Sequence, residues 1–427
     1  MHTHRLTLPN GIRVVLVPTA DTAAVTVLAF YEVGSRYETE DLAGASHFIE
    51  HMCFKGTARH PTTLDISRTL DSVGADYNAF TGKDHTGFYV KLQADRLPLA
   101  VDLLEDMIYR SAFRQADLDS ERQVIVEELR MYEDNPMMAI DEVMESALYR
   151  GSTLGRRIGG TAETLAGITR SKLLKYRDAY YVPERTVLAV AGRFDETEVR
   201  QLLIAKFGRK PAHGRGRAFR PFDAARAGYR APRVVVQNRE SEQVQLAIGF
   251  PGYRMTDPRL ASLSIMSIIL GGNMSSRLFT EVREKRGLGY SVHASSSPYQ
   301  DIGALTVQAG LAKDRVQEAL GVIVAELKRL KDKDVPAEEL ARAKEFAKGK
   351  TVLALEESSH LADFYGRQEL LARRQETPEQ KIARLFAVTA ADVRRTARET
   401  CRAARASLAA IGPIGDGKPF AAALGEL

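Results

Sequence analysis

Hydrophobic positions along the chain switch between two periods. Leu6-Thr7-Leu8 and the run Ile12 to Val17 flank Pro9-Asn10-Gly11, which predicts a hairpin. Val25 to Tyr31 is rich in β-branched residues and predicts a strand. Helical spacing follows from Gly44 to Phe54, with Gly56 as its stop, and again over about 63–73. A turn at Gly74-Ala75 feeds a strand through Thr81 that pairs with 86–92. Helices are predicted over 97–110 and about 117–133. In the second of these Val124, Ile125 and Leu129 form an apolar stripe, and Asp117 or Ser120 can cap. Asp134-Asn135-Pro136 breaks that pattern. Helices then cover about 137–148 and 170–179, on either side of a glycine-rich loop at 151–160. Thr186 to Gly192 predicts a buried strand, and a helix over about 197–207 closes this half.

The pattern then repeats. Val25-Thr26-Val27 has a counterpart in Val244-Gln245-Leu246, and 188–192 has one in 408–412, at offsets of 219 and 220. Between the copies, residues 208–232 lose large aliphatics and gain Gly, Arg and Pro, as a linker does. The expected fold class is α+β: two homologous domains of the same fold, each an antiparallel-rich sheet flanked by helices. They are placed at 1–207 and 233–427 around the linker 208–232.

Only the first copy carries chemistry on its helix. His47-Phe48-Ile49-Glu50-His51 is an H-x-x-E-H pattern. Two imidazoles four residues apart lie one turn above each other on one helix face, so both can reach a single ion. Zn²⁺ suits this set, because catalytic zinc takes three protein ligands from imidazole and carboxylate and keeps one position for water. Glu50 flanks the same face, where a carboxylate can accept a proton from the activated water. At the repeat offset the same positions hold Met266-Ser267-Ile268-Ile269-Leu270, which cannot bind a metal. A third ligand is sought on the helix over about 117–133. Glu121 and Glu128 stand seven apart on nearly one face. One can bind the metal while the other stands behind a ligand histidine. Glu127 is the rival ligand, and residue types alone do not separate it from Glu128.

Composition narrows the class. The chain has 427 residues, 44% hydrophobic and 27% charged, enough for two or three domains with cores of their own. The formal charge of +5 is spread among acids, and the chain has no Trp, so no nucleic-acid footprint of basic stripe and interleaved aromatics is present. Cys53 and Cys401 make no disulfide framework, and Cys53 points about 200° away from His51, toward the core. No run of 18 apolar residues occurs and no apolar stretch follows the basic start. A cytoplasmic protein without membrane spans is expected.

With these residues in hand the chain resembles the pitrilysin, insulysin and mitochondrial processing peptidase family over essentially its whole length, at the size of the short bacterial members. In that family the glutamate ligand follows the motif after 76 residues, and counting from His51 lands on Glu128. The family's second glutamate falls on Glu121. The resemblance therefore implies Zn²⁺ on His47, His51 and Glu128, one ion per chain, with Glu50 as general base of a metalloendopeptidase. It also implies roles for Arg283 and Tyr290, seven apart in the second half, where the family carries an Arg–Tyr pair. The arginine would hold a substrate carbonyl or carboxylate, and the tyrosine would donate to the oxyanion. Asn78-Ala79-Phe80-Thr81 resembles the edge strand to which family substrates add a β-strand.

Substrates would be peptides or unfolded segments admitted to an enclosed chamber. Because one chain holds both the metal set and the Arg–Tyr set, the resemblance implies a homodimer in which each subunit completes the other's site. Gly271-Gly272-Asn273-Met274 stands where the processing peptidase's non-catalytic subunit has a much longer glycine-rich loop. The alternatives are a non-catalytic scaffold of the same fold and a subunit of a heteromeric processing peptidase; such proteins typically lose the metal residues.

Overall fold

Two mixed sheets organise the computed structural model, which describes residues 3–209 and 216–427. Part of the expected linker, 210–215, lies outside the described residues. The first sheet is built from β1 (His4–Thr7), β2 (Arg13–Pro18), β3 (Ala24–Tyr31), β4 (Asp76–Thr81), β5 (Thr86–Gln93) and β6 (Thr186–Gly192) in the order β1-β2-β6-β3-β5-β4. The second holds β7 (Arg233–Asn238), β8 (Gln243–Gly252), β9 (Gly289–Pro298), β10 (Gly303–Ala312) and β11 (Ser407–Gly412) in the order β7-β11-β8-β10-β9. Each sheet has one parallel pair, β2 with β6 and β7 with β11; the other pairs are antiparallel. Apart from β1, the second order reproduces the first strand for strand, as the internal repeat predicts.

The central strands are apolar on both faces because both faces are covered. In the first sheet Val25, Val27, Ala29, Leu188 and Val190 pack beneath the helices of the first half, including the motif helix Ala45–Cys53. Leu28, Phe30, Val187, Ala189 and Ala191 point the other way, onto Leu361, Ala362 and Tyr365 of helix Ser358–Arg367. Each fully buried Val, Leu or Phe side chain among these contributes about 1.5–3 kcal/mol. Gly366 makes the close approach possible: a Cβ there would lie 2.7 Å from Phe30 Cε2 and 2.9 Å from Ala189 Cβ.

The covering helix comes from the other half of the sequence, and the second sheet is treated alike. Ala247, Ala409 and Ile411 pack on Ile140, Val143, Met144 and Leu148 of helix Pro136–Leu148. The compact units are therefore discontinuous rather than contiguous halves meeting at 208–232. One comprises 1–129, 157–220 and 352–377; the other comprises 130–156, 221–351 and 378–427. The physical reason is that a sheet apolar on two faces needs two covers, and each half supplies one of its helices to the other half's sheet. Pro136 opens its helix at the first turn with Asn135 as the cap, so the break at Asp134-Asn135-Pro136 is a joint between two helices.

The long acidic helix spans Gln115–Asp134 and starts earlier than the sequence suggests. Phe113 turns the chain at φ 45°, so Asp117 and Ser120 sit inside the helix and neither caps it. Among the described residues no helix is long and apolar enough to cross a membrane.

Candidate metal centre

The motif helix is placed by its N-terminus. Glu38 is 3% exposed and accepts from the backbone N–H of Gly44 (2.8 Å) and of Ser46 (2.7 Å). A carboxylate there satisfies unpaired donors and complements the helix dipole. Gly44 takes φ 98°, and a Cβ on it would meet the Gly159 carbonyl oxygen at 2.7 Å, so the glycine-rich loop closes directly over the helix start. The other glycine of this contact, Gly159, lies against His47: a Cβ there would stand 3.6 Å from His47 Nδ1 and 2.8 Å from Leu129 Cδ2.

Spacing on the two helices brings the ligand atoms together. Nε2 of His47 and Nε2 of His51 are 3.2 Å apart, and Glu128 Oε2 lies 3.7 Å from the first and 3.5 Å from the second. Ligand atoms about 2.0–2.1 Å from a tetrahedral zinc lie about 3.4 Å from one another. The three edges thus match one face of such a tetrahedron. Among the described residues this is the one group of His, Cys, Asp and Glu side chains whose ligand atoms lie within 4.8 Å of one another. Glu127 is not in it. Cys53 is fully buried in the core and takes no part.

Behind His51 stands Glu121, whose side chain is 6% exposed. Its Oε1 is 2.8 Å from His51 Nδ1, and its Oε2 pairs with Lys55 Nζ. A proton on Nδ1 is donated to that carboxylate, which leaves Nε2 facing His47 and Glu128. Electrostatics separates the two imidazoles. Burial and the neighbouring His51 lower His47 to about 4. Burial also acts against His51, but the bonds to Glu121 and Glu128 outweigh it and raise that residue to about 9. Glu128 is held low by its bond to His51, and Glu121 is held low, against its burial, by His51 and Lys55.

Glu50 is raised by burial, while the hydroxyl of Thr81 and the charge of His51 pull the other way. Thr81 Oγ1 donates to Glu50 Oε2. Strand alternation explains that contact: Tyr77, Ala79 and Thr81 of β4 face the core beneath the motif helix, while Phe80 turns to the opposite face. Asn78 is exposed, and β4 is an outer strand of its sheet with only β5 beside it.

Arg283 and Tyr290 come together in the second unit. Arg283 lies on a π-helical turn, Phe279–Glu284, and its guanidinium carbon sits 4.8 Å from the Phe279 ring centre and 4.9 Å from that of Tyr290. Tyr290 is 73% exposed. The counterpart of the motif helix, Leu260–Gly271, is buried core, with Met266 and Leu270 at 0% exposure.

Four residues around the first helix escape a reading of the sequence. Lys55 stands four after His51, just past the end of that helix, which is a weak pointer toward the carboxylate behind that histidine. Gly159 belongs to a conspicuous glycine-rich loop. Glu38 and Thr81 carry no signal of their own, because a loop and a strand end reach the helix only through the tertiary fold.

The fold is thus two α+β repeats of one strand order, and the first carries a cluster of His47, His51 and Glu128 able to hold a metal ion. The sequence profile described as insulinase (peptidase family M16) matches residues 13–162, and the one described as peptidase M16 inactive domain matches 167–346. The chain is 37% identical over 416 residues to an uncharacterized zinc protease of Streptomyces coelicolor, covering 96% of this chain and 90% of that one. It is 35% identical over 416 residues to an uncharacterized zinc protease of Bacillus subtilis, covering 96% and 98%. In fold it is similar to a protease from Helicobacter pylori, with TM-score 0.90, 22% identity and coverage of 96% and 99%. A chain of complex III2 from Candida albicans also shares the fold, with TM-score 0.84, 17% identity and coverage of 99% and 100%. The chain belongs to the M16 (insulinase) family of peptidases.

Proposed function

We propose that the protein is a zinc-dependent endopeptidase acting on peptides or unfolded polypeptide segments. The observation that carries the reading is the convergence of His47, His51 and Glu128 with zinc-like edges, with Glu50 on the same helix and Glu121 behind His51. Bound at these three ligands, zinc supplies Lewis acidity toward water and the scissile carbonyl. Glu50 accepts the proton of the attacking water and passes it to the leaving amide nitrogen. Its raised affinity for a proton suits that two-way transfer. Glu121 orients His51. The outer edge of β4, with Asn78, Ala79 and Phe80, offers main-chain pairing to an extended substrate, a mode that tolerates many side chains.

Arg283 and Tyr290 complete the site by holding a substrate carbonyl or carboxylate and donating to the oxyanion. They do so, in this reading, from a partner subunit, so the working form is a homodimer enclosing the substrate. The complete ligand set favours an enzyme over a scaffold of the same fold. The test is hydrolysis of quenched peptides of about 15–25 residues, long enough to span an extended-strand site, with and without chelator and beside Glu50→Gln. Chelator-sensitive cleavage that vanishes in a Glu50→Gln protein of normal zinc content is expected. Cleavage that survives in that variant removes Glu50 from the base role. No cleavage by zinc-loaded wild type turns the reading toward a scaffold or a heteromeric subunit.

A further inference from the structure

Thr81 makes a contact that the roles above leave unexplained. It closes β4, and the chain then turns sharply through Gly82-Lys83-Asp84 into β5, with Gly82 N–H donating to His85 O at 2.8 Å. That turn is pinned from outside. Ser35 N–H and Arg36 N–H donate to the carbonyls of Gly82 and Lys83 at 3.1 and 3.2 Å. Beneath them Arg36, 1% exposed, pairs with Asp84, 3% exposed, at 2.7 Å. A buried bond of this kind between charged groups is costly to break.

The opposite face is locked as well. Phe80 lies over Gly87, its partner across the β4–β5 pairing, so closely that a Cβ on Gly87 would come 2.4 Å from the ring. The end of β4 is thus a rigid platform, and Thr81 is β-branched, with little freedom at χ1. The hydroxyl on that platform donates to a carboxylate on a different element, the motif helix. Glu50 has three side-chain torsions and, among the described residues, no other hydrogen-bond donor to its carboxylate, so this bond selects one of its rotamers.

We propose that Thr81 is a positioning residue for Glu50: its hydroxyl holds the carboxylate in the orientation for proton transfer and ties it to the strand on which an extended peptide would pair. The proposal rests on the peptidase reading above. Glu50 placed by a fixed donor loses less freedom on reaching the transition state, so the effect belongs to turnover and not to binding. A serine keeps the donor; a valine keeps the shape and removes it.

The experiment compares wild type, Thr81→Val and Thr81→Ser for zinc content, zinc affinity, thermal unfolding, and kcat and KM on one quenched peptide. Thr81→Val is expected to keep zinc and KM and to lose about 10- to 100-fold in kcat, the range set by one hydrogen bond to a charged group. Thr81→Ser is expected to recover most of that loss. Wild-type kcat in Thr81→Val overturns the proposal, and so does a rise in KM with kcat unchanged, which would make Thr81 part of strand pairing alone. Thr81→Ser that is folded, loaded with zinc and as slow as Thr81→Val also overturns it, because the hydroxyl would then not be the cause. If Thr81→Val fails to fold or load, Thr81→Ala takes its place, and wild-type kcat in a folded, zinc-loaded Thr81→Ala overturns the proposal. Zinc-loaded wild type that cleaves nothing removes the peptidase reading itself, and the proposal with it.

Discussion

Glu121→Gln isolates the charge behind His51. The variant keeps the size of the side chain and an acceptor oxygen for His51 Nδ1, and removes the negative charge together with the oxygen that pairs with Lys55. The side chain is 6% exposed, so solvent screens little of that loss. Partners behind a ligand histidine are worth about 10- to 100-fold in metal affinity. That range is about 1.4–2.7 kcal/mol. A second effect opposes the first. The same carboxylate helps raise His51 to about 9, so below that pH the wild-type ligand is protonated and an incoming ion must displace the proton. Removing the charge weakens that competition.

The expected loss in Glu121→Gln is therefore larger at about pH 9, where about half of His51 has shed its proton, and shrinks toward about pH 6, where the wild type carries the full proton penalty. Competition against a chromophoric zinc chelator at the two pH values measures it. Equal losses at both would refute the coupling between Glu121 and the His51 proton. No loss at the higher pH would refute the orienting role itself.

Zinc binding by the wild type should release close to one proton per ion between about pH 5 and pH 8, because His47, lowered to about 4, is already neutral there and His51, raised to about 9, is not. Affinity should then rise about tenfold per pH unit, and calorimetry in buffers of different ionisation enthalpy reads the proton directly. His47→Ala and Arg283→Ala proteins, each inactive alone, should regain about one quarter of wild-type activity when their subunits are exchanged, since half the dimers are hybrid with one intact site each. Silence after exchange has been verified would end the shared-site idea. Gly366→Val should lower stability by about 1–3 kcal/mol through overpacking against Phe30 and Ala189, seen as a lower Tm. An unchanged Tm would mean that helix Ser358–Arg367 can shift at no cost.

Strand and helix positions were legible where periodicity and punctuation agreed. β3 and β6 are continuous apolar or β-branched runs bounded by turns, and the internal offset predicted that β7–β11 would reproduce the order of β2–β6. The fivefold motif was equally legible, because two histidines at helical spacing need only a helix to share a face. Local pattern failed at Gln115, where a left-handed residue at Phe113, invisible in composition, starts the helix ahead of the expected caps.

What the sequence by itself determined is the set of groups one helix or one strand can present: His47, Glu50 and His51 together, Glu121 and Glu128 on one face, and a core counterpart in the second repeat with no metal chemistry. These follow from periods of 3.6 and 2 residues and need no long-range contact. Only the tertiary structure decided which carboxylate meets which histidine, that Glu38, Lys55, Thr81 and Gly159 surround the motif helix, and that helices Pro136–Leu148 and Ser358–Arg367 each serve the other half's sheet. Those outcomes depend on how two-faced sheets find covers and how loops far apart in sequence pack, and a one-dimensional pattern carries burial but not the identity of the partner.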